Sequence, residues 1–252
     1  MFEEKASAKV NLCLQIVGQK SNGFHLLDSI VGFTEFGDHL SFEKSEKLEL
    51  TVKGAFSDQI PLDNSNLVLK AAELLRTLNN IKDGAHITLT KNLPPSAGLG
   101  GGSSDAAAAI RGLTRLWEIN LPALDELMKI GSDLPVCINQ KTQHMKGFGE
   151  VLRIIHTFPN LPILLVNPLK KVSTQAVFNM LENKQNPPLS NYEKLFQTKK
   201  DWINWLLLQR NDLIKPALKI EPIILEVLQL ISSQNSVEQV SMSGSGATCF
   251  GV

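Results

Sequence analysis

The sequence predicts an α+β protein of two domains. Three observations carry that expectation. Ala8, Val10, Leu12, Leu14 and Ile16 alternate with Lys9, Asn11, Cys13 and Gln15, which is the period of a β-strand. Leu67, Val68, Ala71, Leu74, Leu75 and Leu78 recur at helical spacing behind Asp63-Asn64-Ser65-Asn66, a run of N-cap residues. Composition then shifts near residue 157, where Pro159 and Pro162 bracket a linker and helical patterns take over. The division is therefore an N-terminal domain over 1–157 and a C-terminal domain over 158–252.

The elements follow in order. After the strand at 6–17, residues 18–23 form a turn and 24–33 a second strand. Gly37-Asp38 marks a further turn before strands at 40–42 and 48–52, so the chain opens as a β-meander. Gly84 ends the first helix, and Ala85, Ile87 and Leu89 alternate as a strand. A helix at 106–117 carries Ala106, Ile110, Leu113 and Trp117 on one stripe, and a short helix at 122–129 stops at Gly131. Two strands over 143–155 turn around Gly147-Phe148-Gly149. Residues 163–166 read as a buried strand, and Thr174 caps a helix at 175–181. Helices run from Tyr192 to Ser233, broken near Pro216 and Pro222, and residues 237–252 hold a strand, a small glycine turn and a last strand.

With 252 residues, 43% of them hydrophobic and 20% charged, the chain can bury a sizeable core. Lys plus Arg and Asp plus Glu number 25 each, a balance that argues against a general nucleic-acid binder. No apolar run approaches membrane-spanning length, and Met1-Phe2-Glu3-Glu4-Lys5 lacks a signal-peptide core. The 3 cysteines, Cys13, Cys137 and Cys249, have no metal spacing. No Cys/His cluster suggests a zinc site, and the expectation is a cytoplasmic protein.

The most informative segment is Pro94-Pro95-Ser96-Ala97-Gly98-Leu99-Gly100-Gly101-Gly102-Ser103-Ser104-Asp105, which runs into a helix. Glycines let a backbone approach a ligand closely, and a helix N-terminus favours negative charge, so phosphate is the expected guest. No Gly-Lys-Ser/Thr of a Walker A loop follows. A plain connection from strand to helix explains the same residues. Ser103 or Ser104 suits an N-cap as well as a phosphate or Mg²⁺ contact, and Asp105 stays open between dipole and metal. Lys9 fits a solvated strand face, Asp133 in Gly131-Ser132-Asp133-Leu134-Pro135 fits an N-cap, and Gly244-Ser245-Gly246 fits a hairpin turn. Phe24-His25 fits ordinary packing.

In combination the segments resemble the GHMP small-molecule kinases, a superfamily with three motifs. Ala6-Ser7-Ala8-Lys9-Val10-Asn11-Leu12 is similar to the first, residues 94–107 to the second and residues 241–248 to the third. Asn22-Gly23-Phe24-His25, the triple glycine with paired serines and the Gly-Ser-Asp segment resemble one branch. Its acceptor is a methylerythritol carrying a cytidine diphosphate group.

The resemblance implies an N-terminal domain like the second domain of ribosomal protein S5, a ferredoxin-like C-terminal domain and a site in the cleft between them. It implies phosphorylation of the C2 hydroxyl of that acceptor by ATP with Mg²⁺, in the non-mevalonate isoprenoid pathway. It assigns Asp133 as general base beside Lys9. Pro94, Ser96, Gly98, Leu99, Gly100, Gly101, Gly102, Ser103, Ser104 and Asn66 fall on the ATP side. Asn11, Phe24, His25 and Phe178 fall on the substrate side, with His25 bonding cytosine and the two aromatics packing on it. Gly101→Val is expected to fill phosphate space. The implied partner is a small molecule, with no nucleic acid or membrane, and the implied state is a monomer or weak homodimer. Phe24 stands where Tyr is commoner, Cys137 where aromatic or aliphatic residues are, Val172-Ser173-Thr174 matches only partly, and residues 181–211 run short. A relative acting on mevalonate, homoserine or a sugar remains an alternative, against which Phe24-His25 speaks. A non-catalytic nucleotide-binding module is another, against which Lys9 with Asp133 speaks.

Overall fold

A computed structural model of the chain describes residues 1–21, 23–192, 196 and 198–252. Asn22 of the Asn22-Gly23-Phe24-His25 motif lies outside the described residues. So do 193–195 and 197, which fall in the helical stretch expected from Tyr192. Packing divides the chain into two compact units that are discontinuous in sequence. One comprises Met1–Lys9, Thr34–Pro95 and Gly100–Gln140; the other comprises Val10–Phe33, Ser96–Leu99 and Lys141–Val252. These units follow packing, whereas the division at 157 follows composition. They differ because two long strands, β1 (Phe2–Gln19) and β2 (His25–Ser45), each contribute to both units.

In the first unit, the end of β2 pairs antiparallel with β4 (Gly84–Thr90), from His39 opposite Thr90 to Ser45 opposite Gly84. Strand β3 (Leu48–Lys53) lies on the other side of β4 and runs parallel to it. The early strands are therefore not a meander: β4 is inserted between β2 and β3. Helix α1 (Leu67–Asn79) is the crossover that a parallel pair requires. Asn66 caps it, accepting from the Val68 N–H at 2.8 Å. Helix α2 (Gly101–Leu116) begins five residues before the expected Ala106, directly on the glycine loop. The apolar faces of the two helices close the core: Val68, Ala71 and Leu75 with Ala109, Ile110 and Leu113 against Leu40, Phe42, Ile87 and Leu89. Two short helices follow, α3 (Leu124–Ile130) and α4 (Leu134–Asn139).

Gly37-Asp38 is not a turn but part of β2. A Cβ at Gly37 would stand 2.3 Å from the Ala6 carbonyl oxygen and 2.8 Å from the Ser7 Cα, so the glycine is there for a close backbone approach.

In the second unit, β2 pairs with β5 (Gln143–Gly147), which forms the expected hairpin with β6 (Val151–Ile154). A second sheet has the order β7 (Leu164–Val166), β9 (Cys249–Gly251), β8 (Val240–Met242). Strand β7 is not buried as expected, since Leu164 is 47% exposed. Helix α5 (Thr174–Asn179) is capped by Ser173 rather than Thr174, through the Ala176 N–H at 3.3 Å. Helices α6 (Lys199–Leu207), α7 (Ile214–Ile220) and α8 (Ile223–Ser232) follow, with Pro216 in the first turn of α7 and Pro222 capping α8, positions a proline tolerates. Leu14, Ile16, Val177, Leu213, Ile224, Val227 and Cys249 share one core. All three cysteines are buried and free.

The close approach at Gly37 gives a test of the fold. Gly37→Ala forces β2 away from the Ala6-Ser7 backbone and is expected to cost about 1–3 kcal/mol. Denaturant unfolding would measure it, and an unchanged midpoint would contradict this packing.

Candidate active site

Strand β1 presents Lys9 in the first unit. The alternation around Lys9 suggested one wet face, but every residue from Ala6 to Ile16 is buried, so both faces are covered. A buried ammonium needs a partner. Lys9 Nζ donates to Asp133 Oδ2 at 2.7 Å; the lysine side chain is 6% exposed and the aspartate side chain 37%. Burial works against the Lys9 charge, but the charge and hydrogen bond of Asp133 outweigh it, and its pKa ends above the ordinary lysine value. Asp133 occupies the N-cap position of α4, yet its side chain makes no capping bond and turns to Lys9 instead. The arrangement supplies a permanent positive charge with a carboxylate fixed on it, open to solvent on one side.

The start of α2 lies against the same lysine. Gly100 is the N-cap in a left-handed conformation, φ 60°, and a Cβ there would stand 3.0 Å from Lys9 Cε. No side chain caps α2. The first N–H groups of a helix have no intrahelical acceptor, so an uncapped start offers them to an anion. Gly102 is exposed and Ser103 half-buried. Ser104 is buried and its hydroxyl donates to the Cys137 Sγ at 3.5 Å. Burial pushes the Cys137 thiol up to about 12, against the pull of Lys9 and Ser104. Asp105 turns inward to Lys91 at 2.6 Å, which settles its place away from the loop surface. The Cβ direction of Gly101 meets Lys91 Nζ at 3.2 Å, so a side chain at 101 would press on that lysine. Pro94 is half-buried, and both polar groups of the Asn66 amide are used locally, Oδ1 in the helix cap and Nδ2 on the Pro61 carbonyl at 2.8 Å.

In the second unit, residues 96–99 pack on the third glycine motif. Ser243 Oγ donates to the Gly98 carbonyl at 2.7 Å and accepts from the Asn11 N–H at 3.1 Å, while the Thr248 N–H donates to the Ala97 carbonyl at 3.1 Å. Gly98 has φ 75°, and a Cβ on it would lie 2.4 Å from the Ser243 backbone carbonyl oxygen. The third motif is thus a clasp on the first part of the loop. Ser96 is exposed and Leu99 buried. Asn11 Nδ2 donates to Ser29 Oγ at 2.9 Å, while Asn11 Oδ1 is buried with no hydrogen-bond partner.

His25 and Phe178 stand together in this unit, ring centroids 4.9 Å apart. His25 Nε2 is also buried with no hydrogen-bond partner. Burial and then the Lys184 charge hold the His25 pKa below its ordinary value, which favours the neutral ring. Phe24 is 60% exposed, with Phe148 edge-on at 6.0 Å and the Lys20 ammonium 4.3 Å from the Phe148 centroid.

Sequence reasoning missed Lys91, Asp38 and Phe148. The signal for Lys91 was present: the alternation that puts Ala85, Ile87 and Leu89 inside puts position 91 inside as well. Asp38 was hidden because Gly-Asp reads as a turn, and Phe148 because it sits in one.

The model of the GHMP kinases N terminal domain matches residues 66–147, a span that holds the glycine loop and Asp133. A 4-diphosphocytidyl-2-C-methyl-D-erythritol kinase of Paramagnetospirillum magneticum is 45% identical over 257 residues, covering 100% of this chain and 88% of that protein. The kinase of the same name from Ruegeria pomeroyi is 40% identical, covering 100% of this chain and 88% of its own length. A crystal structure of 4-(cytidine 5'-diphospho)-2C-methyl-D-erythritol kinase superposes with a TM-score of 0.82 at 28% identity, covering 100% of this chain and 90% of that one. With the GHMP kinase fold and identity of this order along its whole length, the chain belongs to the 4-diphosphocytidyl-2-C-methyl-D-erythritol kinase family of the GHMP kinases.

Proposed function

We propose that the chain transfers the γ-phosphoryl group of ATP to the 2-hydroxyl of 4-diphosphocytidyl-2-C-methyl-D-erythritol, in the non-mevalonate route to isoprenoid precursors. One observation carries the chemistry: the uncapped start of α2 lies against Lys9, whose ammonium holds Asp133 at 2.7 Å. Phosphoryl transfer needs positioning and charge neutralisation more than covalent chemistry. The N–H groups at 100–103 take phosphate oxygens, and Asp133 accepts the proton of the attacking hydroxyl. Lys9 orients that carboxylate and offsets charge developing on the oxygens. Pro94, Ser96, Gly98 and Leu99 shape the loop. Asn66 acts on the adenine side through its position at the head of α1, since its amide is already engaged.

Mg²⁺ accompanies ATP and neutralises phosphate charge. The donors fit an ion carried mainly by phosphate oxygens. Asp105 faces inward, and among the described residues no group of three or more His, Cys, Asp or Glu side chains could hold a metal. Ser103 is the hydroxyl of that turn left to reach the ion or a phosphate.

The cytosine end belongs to Phe24, His25 and Phe178. The unpartnered Nε2 of a neutral His25 takes a hydrogen bond from the base, and the aromatic rings pack on its faces. Asn11, with its unpartnered Oδ1, contacts the acceptor. The same reading makes the protein a cytoplasmic monomer or weak homodimer with no nucleic-acid or membrane partner. In support, net charge is zero, the thiols are free and no helix of the described residues is long and apolar enough to cross a membrane.

Asp133→Asn should lower kcat by about 10²–10⁴-fold, the usual worth of a general base, while ATP affinity stays within about twofold. An ADP-release assay with the pure cytidine substrate, alongside calorimetric ATP titration, reads both. Turnover at the wild-type rate would remove Asp133 from the chemistry. His25→Ala should raise KM for the cytidine substrate by about tenfold or more, from the lost hydrogen bond and packing, and leave KM for ATP alone. An unchanged substrate KM would refute the cytosine assignment and reopen the choice among GHMP acceptors.

A further inference from the structure

A serine of the second unit, unused by the chemistry above, governs the side chain of Asn11. Ser29 lies on β2 and is fully buried. Its hydroxyl donates to the Cys13 carbonyl at 2.6 Å and accepts from Asn11 Nδ2 at 2.9 Å. The direction of both bonds is forced. A carbonyl only accepts, so the single proton of the hydroxyl goes to Cys13. Lone pairs are what remain on Ser29 Oγ, and only the NH2 end of the amide can meet them. The carboxamide therefore has one orientation, with Oδ1 turned away from Ser29.

The backbone of Asn11 is held by the same device. Ser243 Oγ gives its proton to the Gly98 carbonyl at 2.7 Å and accepts from the Asn11 N–H at 3.1 Å. Asn211 Nδ2 donates to the carbonyls of Met242 and Gly244, at 2.7 and 2.9 Å, and so anchors the third motif on either side of Ser243. Within this frame Asn11 Oδ1 is buried without a hydrogen-bond partner, which is costly until a donor reaches it. Gly244, with φ 56°, faces that oxygen. The place a Cβ on Gly244 would take stands 3.5 Å from Asn11 Oδ1 and 3.2 Å from the Gly98 carbonyl oxygen. Two acceptor oxygens thus flank the space that glycine, having no Cβ, keeps open. Such a pair suits a hydroxyl donor.

We propose that Ser29 is a positioning residue for the acceptor: by fixing the Asn11 amide it presents Oδ1 to a hydroxyl of the methylerythritol end of the substrate. The proposal rests on the reading of Asn11 as an acceptor contact. With Ser29 in place the amide is ordered before the substrate arrives, and it offers an oxygen rather than an N–H. Without the Ser29 hydroxyl the amide loses the bond that distinguishes its two ends. The substrate then has to order that side chain itself, which weakens binding.

The test is a double-mutant cycle read in the acceptor KM. Steady-state kinetics with ATP and the cytidine substrate would compare wild type, Ser29→Ala, Asn11→Ala and the double variant. Ser29→Ala should raise KM for the cytidine substrate by about three- to tenfold, the worth of one side chain ordered on binding, and leave KM for ATP within about twofold. Asn11→Ala should raise the acceptor KM by at least as much. The double variant should match Asn11→Ala, because Ser29 acts only through that amide. A merely structural serine would add its own loss to that of Asn11. Ser29→Cys, which keeps the shape and offers only a weak sulfur acceptor, repeats the cycle if the alanine variant does not fold. An unchanged acceptor KM in the Ser29 variant, with Asn11→Ala impaired, would overturn the proposal alone. So would losses that add in the double variant. An unchanged acceptor KM in Asn11→Ala would overturn the reading of Asn11 and this proposal with it.

Discussion

A positive charge placed inside a strand that is buried on both faces sets conditions the rest of the first unit must meet. Lys9 cannot stay ionised there without a carboxylate, and leaving one member of such a pair alone costs several kcal/mol. The turn from α3 into α4 delivers Asp133 to the ammonium, at the expense of the helix cap that Asp133 would otherwise form. The methylene stem of the lysine lies only 3.0 Å from where a Cβ at position 100 would stand, and the left-handed backbone there adds strain for any other residue, so the loop favours glycine at that point. Strand, helix turn and loop are therefore fixed by the same side chain.

The loop glycines serve the protein's own packing as much as any ligand. Gly98 meets the backbone of the third motif, Gly100 the stem of Lys9, Gly101 the head of Lys91 and Gly102 the side chain of Leu67. A backbone so closely supported holds its N–H groups in place before a ligand arrives, which is the condition for electrostatic stabilisation without reorganisation. The two lysines differ in use. Lys9 shares its charge with one partly exposed carboxylate, whereas Lys91 is enclosed between two buried ones.

Much of this was legible in the chain itself. The alternation of 6–17, the Asn66 cap, the hairpin around Gly147-Phe148-Gly149 and the glycine loop all rest on local rules, and local rules are what sequence displays. The insertion of β4 between β2 and β3 was not legible, because a short link between strands reads as a hairpin and strand order depends on partners far along the chain. Asp38 was lost for a related reason: its glycine neighbour is explained by Ala6 and Ser7, some thirty residues earlier. Lys9 beside Asp133 came from motif resemblance, since strand periodicity by itself favoured a wet face. Sequence showed where the loop is but not which way its side chains point, and Ser104 and Asp105 both turn inward.

The hydrogen bond between the Asn11 backbone and Ser243 spans 232 positions. On the ribosome that separation becomes a waiting time. At roughly 5–20 residues per second, the middle of β1 emerges on the order of ten seconds or more before the residues that cover it. Leu14 and Ile16 have to wait likewise for Leu213, Ile224 and Cys249. An apolar strand left without its partners for that long is a ready target for aggregation or for a holding chaperone. The long-range stitching that steadies the finished enzyme thus makes the nascent chain its most vulnerable form.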